Sequence, residues 1–255
     1  MTDSRRTRSL GILLASSIGL NAALLAYLAR IGTFERALVM VDLVDRPGDR
    51  SEARARIVER FRKLPSGPAD VVFAGDSLIH HGPWAEFYSD IRNRGIRGDT
   101  SAGLLARLDE LIGGRPREVY LLIGTNDLAA KVPDAQIERN YRAILARIAA
   151  ESPATRVVVL AVLPVNRGLP GPPNHGNDRV LALNRRIEAM TAEFPSYRYV
   201  DLGPSVADAS GNLRADFTED GLHLNVDGYL AIRDALGRLA PPALATGHPR
   251  AEPSP

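Results

Sequence analysis

Three residues far apart in this chain have the makings of acyl-transfer chemistry. Ser77 stands in Gly75-Asp76-Ser77-Leu78, directly after the apolar run Val71-Val72-Phe73-Ala74. A serine hydroxyl is a weak nucleophile until a neighbouring base takes its proton. His223, in Asp220-Gly221-Leu222-His223, is the candidate base. Asp220 lies one turn before it, where a carboxylate reaches the imidazole and fixes its tautomer. Each residue also has an ordinary explanation. Ser and Asp cap helices, and an isolated histidine is commonly a core or surface residue. Asp76 reads as structural. His80 and His81 are rival bases, but they follow Ser77 on its own helix and would have to curl back. His175, in a Pro-rich loop, is a weaker rival.

A developing oxyanion needs N–H donors. If a helix starts at Ser77, the Ser77 backbone N–H is one. Gly98, in Arg94-Gly95-Ile96-Arg97-Gly98-Asp99-Thr100, is a second candidate, because Asp99-Thr100-Ser101 then begins a helix. Asn126, in Gly124-Thr125-Asn126-Asp127, offers a side-chain donor. Turn formation alone accounts equally for Gly, Asn and Asp at such places.

The elements that must position these residues alternate. Strand-like runs lie at Val71–Ala74, Ile91–Arg94, Val119–Ile123, Arg156–Val162 and Tyr197–Asp201. Helical patterns lie near 101–112, 134–150, 178–193 and 225–239, and a lead-in helix runs from Ser51 to Leu64. Near-continuous apolar strands separated by helices predict an α/β fold with a five-stranded parallel sheet covered on both faces. Ligands then bind beyond the carboxyl ends of the strands, which is where Ser77 falls. Pro164–Asn177 is a loop that can border the leaving group. Trp84, Phe87 and Tyr88 are candidate acyl-pocket residues, with core packing the stronger expectation for at least two of them.

The 255 residues suffice for one sizeable domain. Thirty-two basic and thirty acidic residues leave a net charge of +2, so no nucleic-acid partner is expected. The absence of cysteine excludes disulfides and thiolate chemistry. Asp220 and His223 have no second histidine at ligand spacing, so no metal is expected, and no cofactor is implied. Leu10–Ala29 carries no charge, and Arg5, Arg6, Arg8 and Arg30 flank it. Its twenty residues reach about 30 Å as a helix, which predicts a transmembrane signal anchor rather than a cleaved leader. The expected organisation is a cytoplasmic tail (1–9), the anchor (10–29), a stalk broken at Pro47-Gly48 with a lead-in helix (30–68), an exported catalytic domain (69–240) and a disordered tail (241–255).

In order along the chain, Gly75-Asp76-Ser77-Leu78, the stretch ending at Gly98, Gly124-Thr125-Asn126-Asp127 and Asp220-Gly221-Leu222-His223 resemble the blocks of the GDSL, or SGNH, hydrolases. The wording is most similar to the branch of platelet-activating-factor acetylhydrolase catalytic subunits. The resemblance covers about residues 69–240. It implies a flavodoxin-like three-layer fold, with Ser77 as nucleophile, His223 as base and Asp220 as orienting acid. It also implies the Ser77 and Gly98 N–H groups and the Asn126 side chain as oxyanion donors. Arg97 departs from that branch, which has a small residue there, and Leu224 replaces a proline found in other branches. The expected activity is hydrolysis of short-chain, acetyl-type esters of a glycan or lysophospholipid-type lipid. The alternatives are an acyltransferase of the same fold and a catalytically silent binding module.

Overall fold

The computed structural model describes residues 47–88, 91–169 and 174–239. The chain divides into two compact units, residues 1–56 and 57–255. Of the first, residues 47–56 are described and are helical, with Arg56 paired to Glu52 at 3.5 Å. The segment Leu10–Ala29, most of the stalk and the tail from 241 lie outside the described residues. Among the described residues no helix is long and apolar enough to cross a membrane.

The second unit is built on five parallel strands in the order β2-β1-β3-β4-β5. They are β1 (Val71–Gly75), β2 (Ile91–Gly95), β3 (Glu118–Leu122), β4 (Arg156–Leu160) and β5 (Tyr197–Val200). Register is set by pairs such as Val71 with Ile91 and Val72 with Val119. Among the described residues of the chain the α-helices are α1 (Pro47–Lys63), α2 (Ser77–His81), α3 (Trp84–Phe87), α4 (Ser101–Ala106), α5 (Asp109–Ile112), α6 (Thr125–Ala129), α7 (Asp134–Glu151), α8 (Asn177–Thr191), α9 (Gly203–Val206) and α10 (Val226–Leu239).

Strand side chains alternate between faces, so one sheet serves two cores. Val72, Ala74, Val119, Leu121, Val157 and Val159 pack with Ile137, Tyr141 and Ile144 of α7 and Leu183 and Ile187 of α8. Val71, Phe73, Tyr120, Leu122, Val158 and Leu160 pack with Leu78 and Ile79 of α2 and Tyr229, Ile232 and Leu236 of α10. Each valine, leucine, isoleucine or phenylalanine among them contributes about 1.5–3 kcal/mol when fully buried. The result is the expected three-layer α/β sandwich. The order reverses beside β1, because β2 lies on one side of it and β3 on the other. Loops leaving β1, β2 and β3 therefore meet at one crevice.

Several boundaries depart from expectation. Pro47 opens α1 rather than breaking a stalk; its missing N–H is harmless in a first turn. The helical pattern near 101–112 is two helices, interrupted at Arg107. There the guanidinium turns inward to Asp99 at 2.7 Å and to the Gly75 carbonyl at 3.2 Å. The β4 ladder ends at Leu160, although the apolar run continues to Val162. The Asn184 side chain takes over, accepting from Val162 N–H and donating to Val162 O, each at 2.9 Å. Trp84 belongs to the core rather than an acyl pocket. It is 2% exposed, stacks on Phe73 at 4.5 Å and donates from Nε1 to the Ile79 carbonyl at 2.7 Å. Tyr88 stacks on the other side of that cluster, 6.5 Å from Phe73.

Candidate active site

β1 ends at Gly75, where the backbone crosses so close to β3 that a Cβ would lie 2.0 Å from the Leu122 carbonyl oxygen. Asp76 then caps α2: its Oδ1 accepts the Leu78 N–H at 2.9 Å. Ser77 opens the helix and is 5% exposed. Tyr229 of α10 fixes the helix from the far side by donating to the Leu78 carbonyl at 2.8 Å.

The second arm is the turn before α10. Gly221 adopts φ 80°, the left-handed region glycine enters without strain. The Thr218 hydroxyl accepts the Gly221 N–H at 3.0 Å. Asp220 Oδ1 accepts the N–H groups of Leu222 at 2.9 Å and His223 at 2.8 Å. Asn225 closes the arm, accepting the Gly228 N–H and donating to the Asp216 carbonyl.

The two arms meet. Ser77 Oγ lies 3.0 Å from His223 Nε2, and His223 Nδ1 lies 2.6 Å from Asp220 Oδ2. A carboxylate on Nδ1 puts the proton there, which leaves Nε2 as acceptor for the serine hydroxyl. Burial draws the Asp220 carboxyl upward, but the hydrogen bonds from the His223 ring and from the two backbone N–H groups outweigh it and hold it below the ordinary value. Asp220 therefore stays ionised opposite the imidazole.

The oxyanion candidates sit on the loops after β2 and β3. Gly98 is exposed with φ 70°, and a Cβ there would meet nothing within 4 Å. Asn126 donates one Nδ2 hydrogen to the Asp99 carbonyl at 2.9 Å, which orients the amide and leaves its second N–H. Beneath them lies a buried network. Asp127 accepts from the Ser101 hydroxyl at 2.6 Å and from the Ser101 N–H at 2.9 Å. Asn140 donates to Ser101 Oγ at 2.8 Å. This network ties the Gly98 loop to the Asn126 turn. Asp127 was visible in the sequence as a turn residue; nothing there marked Ser101 or Asn140 as its partners.

The rival histidines fall elsewhere. His80 Nδ1 faces the Gly95 carbonyl at 3.2 Å. His175 is buried with Nε2 3.3 Å from the Thr125 hydroxyl. His81 does not reach Ser77, but its ring lies 5.3 Å from that of His223, a neighbour the sequence gave no reason to expect.

The GDSL-like lipase/acylhydrolase family model matches residues 73–231, from within β1 to within α10. The chain belongs to that family. Its relatives include the alpha1 subunit of platelet-activating factor acetylhydrolase IB from Rattus norvegicus, 32% identical over 178 residues, which cover 67% of this chain and 74% of the relative. Esterase TesA from Pseudomonas aeruginosa is 30% identical over 132 residues, or 51% of this chain and 59% of that enzyme. A solved structure from Streptococcus pneumonia, described as a platelet activating factor protein, has TM-score 0.70 at 28% identity, covering 82% of this chain and 97% of its own. This GDSL-type acylhydrolase is thus a hydrolytic enzyme of the acetylhydrolase-like branch, and the family match encloses both arms of the site.

Proposed function

We propose that the protein is a serine esterase in which Ser77, His223 and Asp220 form the catalytic triad, acting on short-chain, acetyl-type esters of a glycan or lipid. The supporting observation is the relay of 3.0 Å and 2.6 Å contacts linking the Ser77 hydroxyl, the His223 ring and the Asp220 carboxylate. As Ser77 Oγ attacks the ester carbonyl carbon, its proton passes to His223 Nε2. The tetrahedral oxyanion is held by the N–H groups of Ser77 and Gly98 and by the free N–H of Asn126. One such donor contributes on the order of 3 kcal/mol in the transition state. The C–O bond to the alcohol then breaks, and His223 protonates the leaving alkoxide. Water repeats the cycle on the acyl-enzyme, regenerating Ser77 and releasing the acid. The ionised Asp220 stabilises the imidazolium formed twice in each turnover.

The acetyl preference draws on the name of the rat acetylhydrolase relative. No catalytic position of the resemblance has been lost, which disfavours a silent binding module. The uncharged run Leu10–Ala29 supports a single-pass anchor with the catalytic domain outside the cytoplasm. The full chain should then stay with membranes through a carbonate wash; its release would remove the anchor.

The deciding experiment is labelling of the purified full chain with a serine-directed fluorophosphonate, followed by peptide mapping. The label is expected on Ser77, and Ser77→Ala should abolish hydrolysis of p-nitrophenyl acetate. A label on another serine refutes the assignment.

A further inference from the structure

The turn that carries Gly98 is closed by its own hydrogen bond: the Asp99 N–H donates to the Ile96 carbonyl at 3.1 Å. Gly98 takes the third place of that four-residue turn with φ 70°, where a type II turn needs a left-handed residue. Ile96 ties the turn to β1, because its N–H donates to the Gly75 carbonyl at 3.0 Å. The Arg107 guanidinium donates to the same carbonyl at 3.2 Å and holds the Asp99 carboxylate at 2.7 Å. The Asp99 carbonyl in turn orients the Asn126 amide. The backbone before Ser77, the Gly98 turn and Asn126 therefore lean on one knot of Ile96, Asp99 and Arg107, each at most 3% exposed.

That knot is backed by a side chain ahead of the family match, which begins at residue 73. From Ile57 on, α1 belongs to the second unit. There Val58 and Phe61 form with Ile96 a small apolar cluster, apart from the two cores on the sheet faces. Phe61 is buried, and its ring centre lies 4.6 Å from the Arg94 guanidinium carbon and 5.8 Å from that of Arg107. Both distances lie within the reach of cation–π attraction. Arg94 also donates to the Leu64 carbonyl, and Arg62 pairs with Glu110 at 2.8 Å, which fastens this end of α1 around Phe61.

We propose that Phe61 is a positioning residue for the oxyanion site: by packing with Ile96 and against the Arg107 guanidinium, it keeps the Gly98 turn and the Asn126 amide at their places beside Ser77. This rests on the esterase reading above. Without the ring, Ile96 loses packing on its α1 side and Arg107 loses one of its supports, so the turn can drift relative to β1. An oxyanion in the transition state needs N–H donors at fixed positions, whereas the ground-state ester does not. Acylation and deacylation both pass through that oxyanion. Both steps slow together, so the loss falls on kcat and leaves KM in place.

The test uses the full chain, with kcat and KM for p-nitrophenyl acetate counted per site labelled to completion by a fluorophosphonate. Ile148→Ala serves as the control. Ile148 is equally buried, but it lies in the last turn of α7, which leads towards the start of β4 and so to the edge of the sheet opposite the site. Both truncations open a core cavity and should lower the melting temperature. Phe61→Ala should also lower kcat by about tenfold, a fraction of the roughly 10²–10³ that follows outright removal of a donor. Its KM should stay within about twofold of wild type, and Ile148→Ala should leave kcat within that same margin. Phe61→Leu keeps an apolar contact for Ile96 but no ring face for Arg107, and should fall between Phe61→Ala and wild type. A Phe61→Ala kcat within about twofold of that of Ile148→Ala, or a loss that lies wholly in KM, overturns the inference. Should Phe61→Ala fail to fold, Phe61→Leu carries the test, with about threefold loss of kcat expected and none overturning it. Hydrolysis that survives Ser77→Ala would instead sink the esterase reading. If Ser77→Ala abolishes hydrolysis while kcat ignores residue 61, the positioning inference alone falls.

Discussion

Asp76 and Asp220 are the same residue type, one next to Ser77 along the chain and the other next to it in space through His223, and they occupy opposite surroundings. Asp76 is 1% exposed; one oxygen accepts the Leu78 N–H and the other has no partner. Burial, then the nearby Asp99 and Asp127, lift its carboxyl to about 7 against the pull of the Leu78 N–H. The Asp220 side chain is about one-third exposed and accepts two backbone N–H groups and an imidazole. Despite its burial, its carboxyl is held below the ordinary value. The difference teaches how the site divides its labour. The carboxylate that faces the His223 ring is kept wet enough and hydrogen-bonded enough to stay ionised. The carboxyl that caps α2 is shut into the core, where charge is disfavoured.

The largest effect comes from disturbing the charged member. Asp220→Asn keeps the size of the side chain but no longer favours the proton on Nδ1, so kcat for p-nitrophenyl acetate should fall by about 10³–10⁴. A loss below about tenfold would mean that Asp220 merely braces the turn.

A smaller effect separates the two aspartates by pH. The folded value of Asp76 lies above its unfolded one, so between about pH 4 and 7 the folded state holds a proton that the unfolded state has released. Stability therefore falls as pH rises through that window, by at most about 4 kcal/mol from this group. Asp76→Asn mimics the protonated form and should flatten that slope in denaturant-unfolding midpoints. Asp220 has the opposite sign. Its contribution is present above about pH 4 and is lost as pH falls below that. Asp220→Asn should accordingly leave the slope between pH 4 and 7 as it is in the wild type. If the two variants respond alike, the contrast between the aspartates is wrong.

The parallel sheet and the order of its elements were legible because β-branched runs such as Val157-Val158-Val159 alternate with amphipathic segments. The approach of Ser77 to His223 was legible as a pattern of short blocks, since each block must satisfy a tight turn with a particular residue. The break at Arg107 was not, because helix periodicity does not report a guanidinium drawn inward by Asp99 across the turn. Nor was the packing of His81 against His223. Their meeting depends on how α2 sits against the turn before α10, and the Tyr229 to Leu78 hydrogen bond is one long-range tie between α2 and α10. Local residue spacing is written in the sequence, whereas relative helix rotation emerges from long-range packing.

The same division between a shut-in turn and an open rim extends to the glycines. At Gly75 a Cβ would collide with the Leu122 carbonyl oxygen at 2.0 Å, so β1 and β3 would have to part and Gly75→Ala should disrupt the fold. At Gly98 a Cβ meets nothing within 4 Å, and the penalty is only the φ of 70°. That conformation costs a non-glycine residue about 1–2 kcal/mol. Gly98→Ala also keeps its backbone N–H in place. It should lower thermal stability by about that amount and reduce kcat for p-nitrophenyl acetate by less than about tenfold. A loss approaching that of Asp220→Asn would show that the loop after β2 moves when strained, and that the rim is as tightly specified as the turn beneath it.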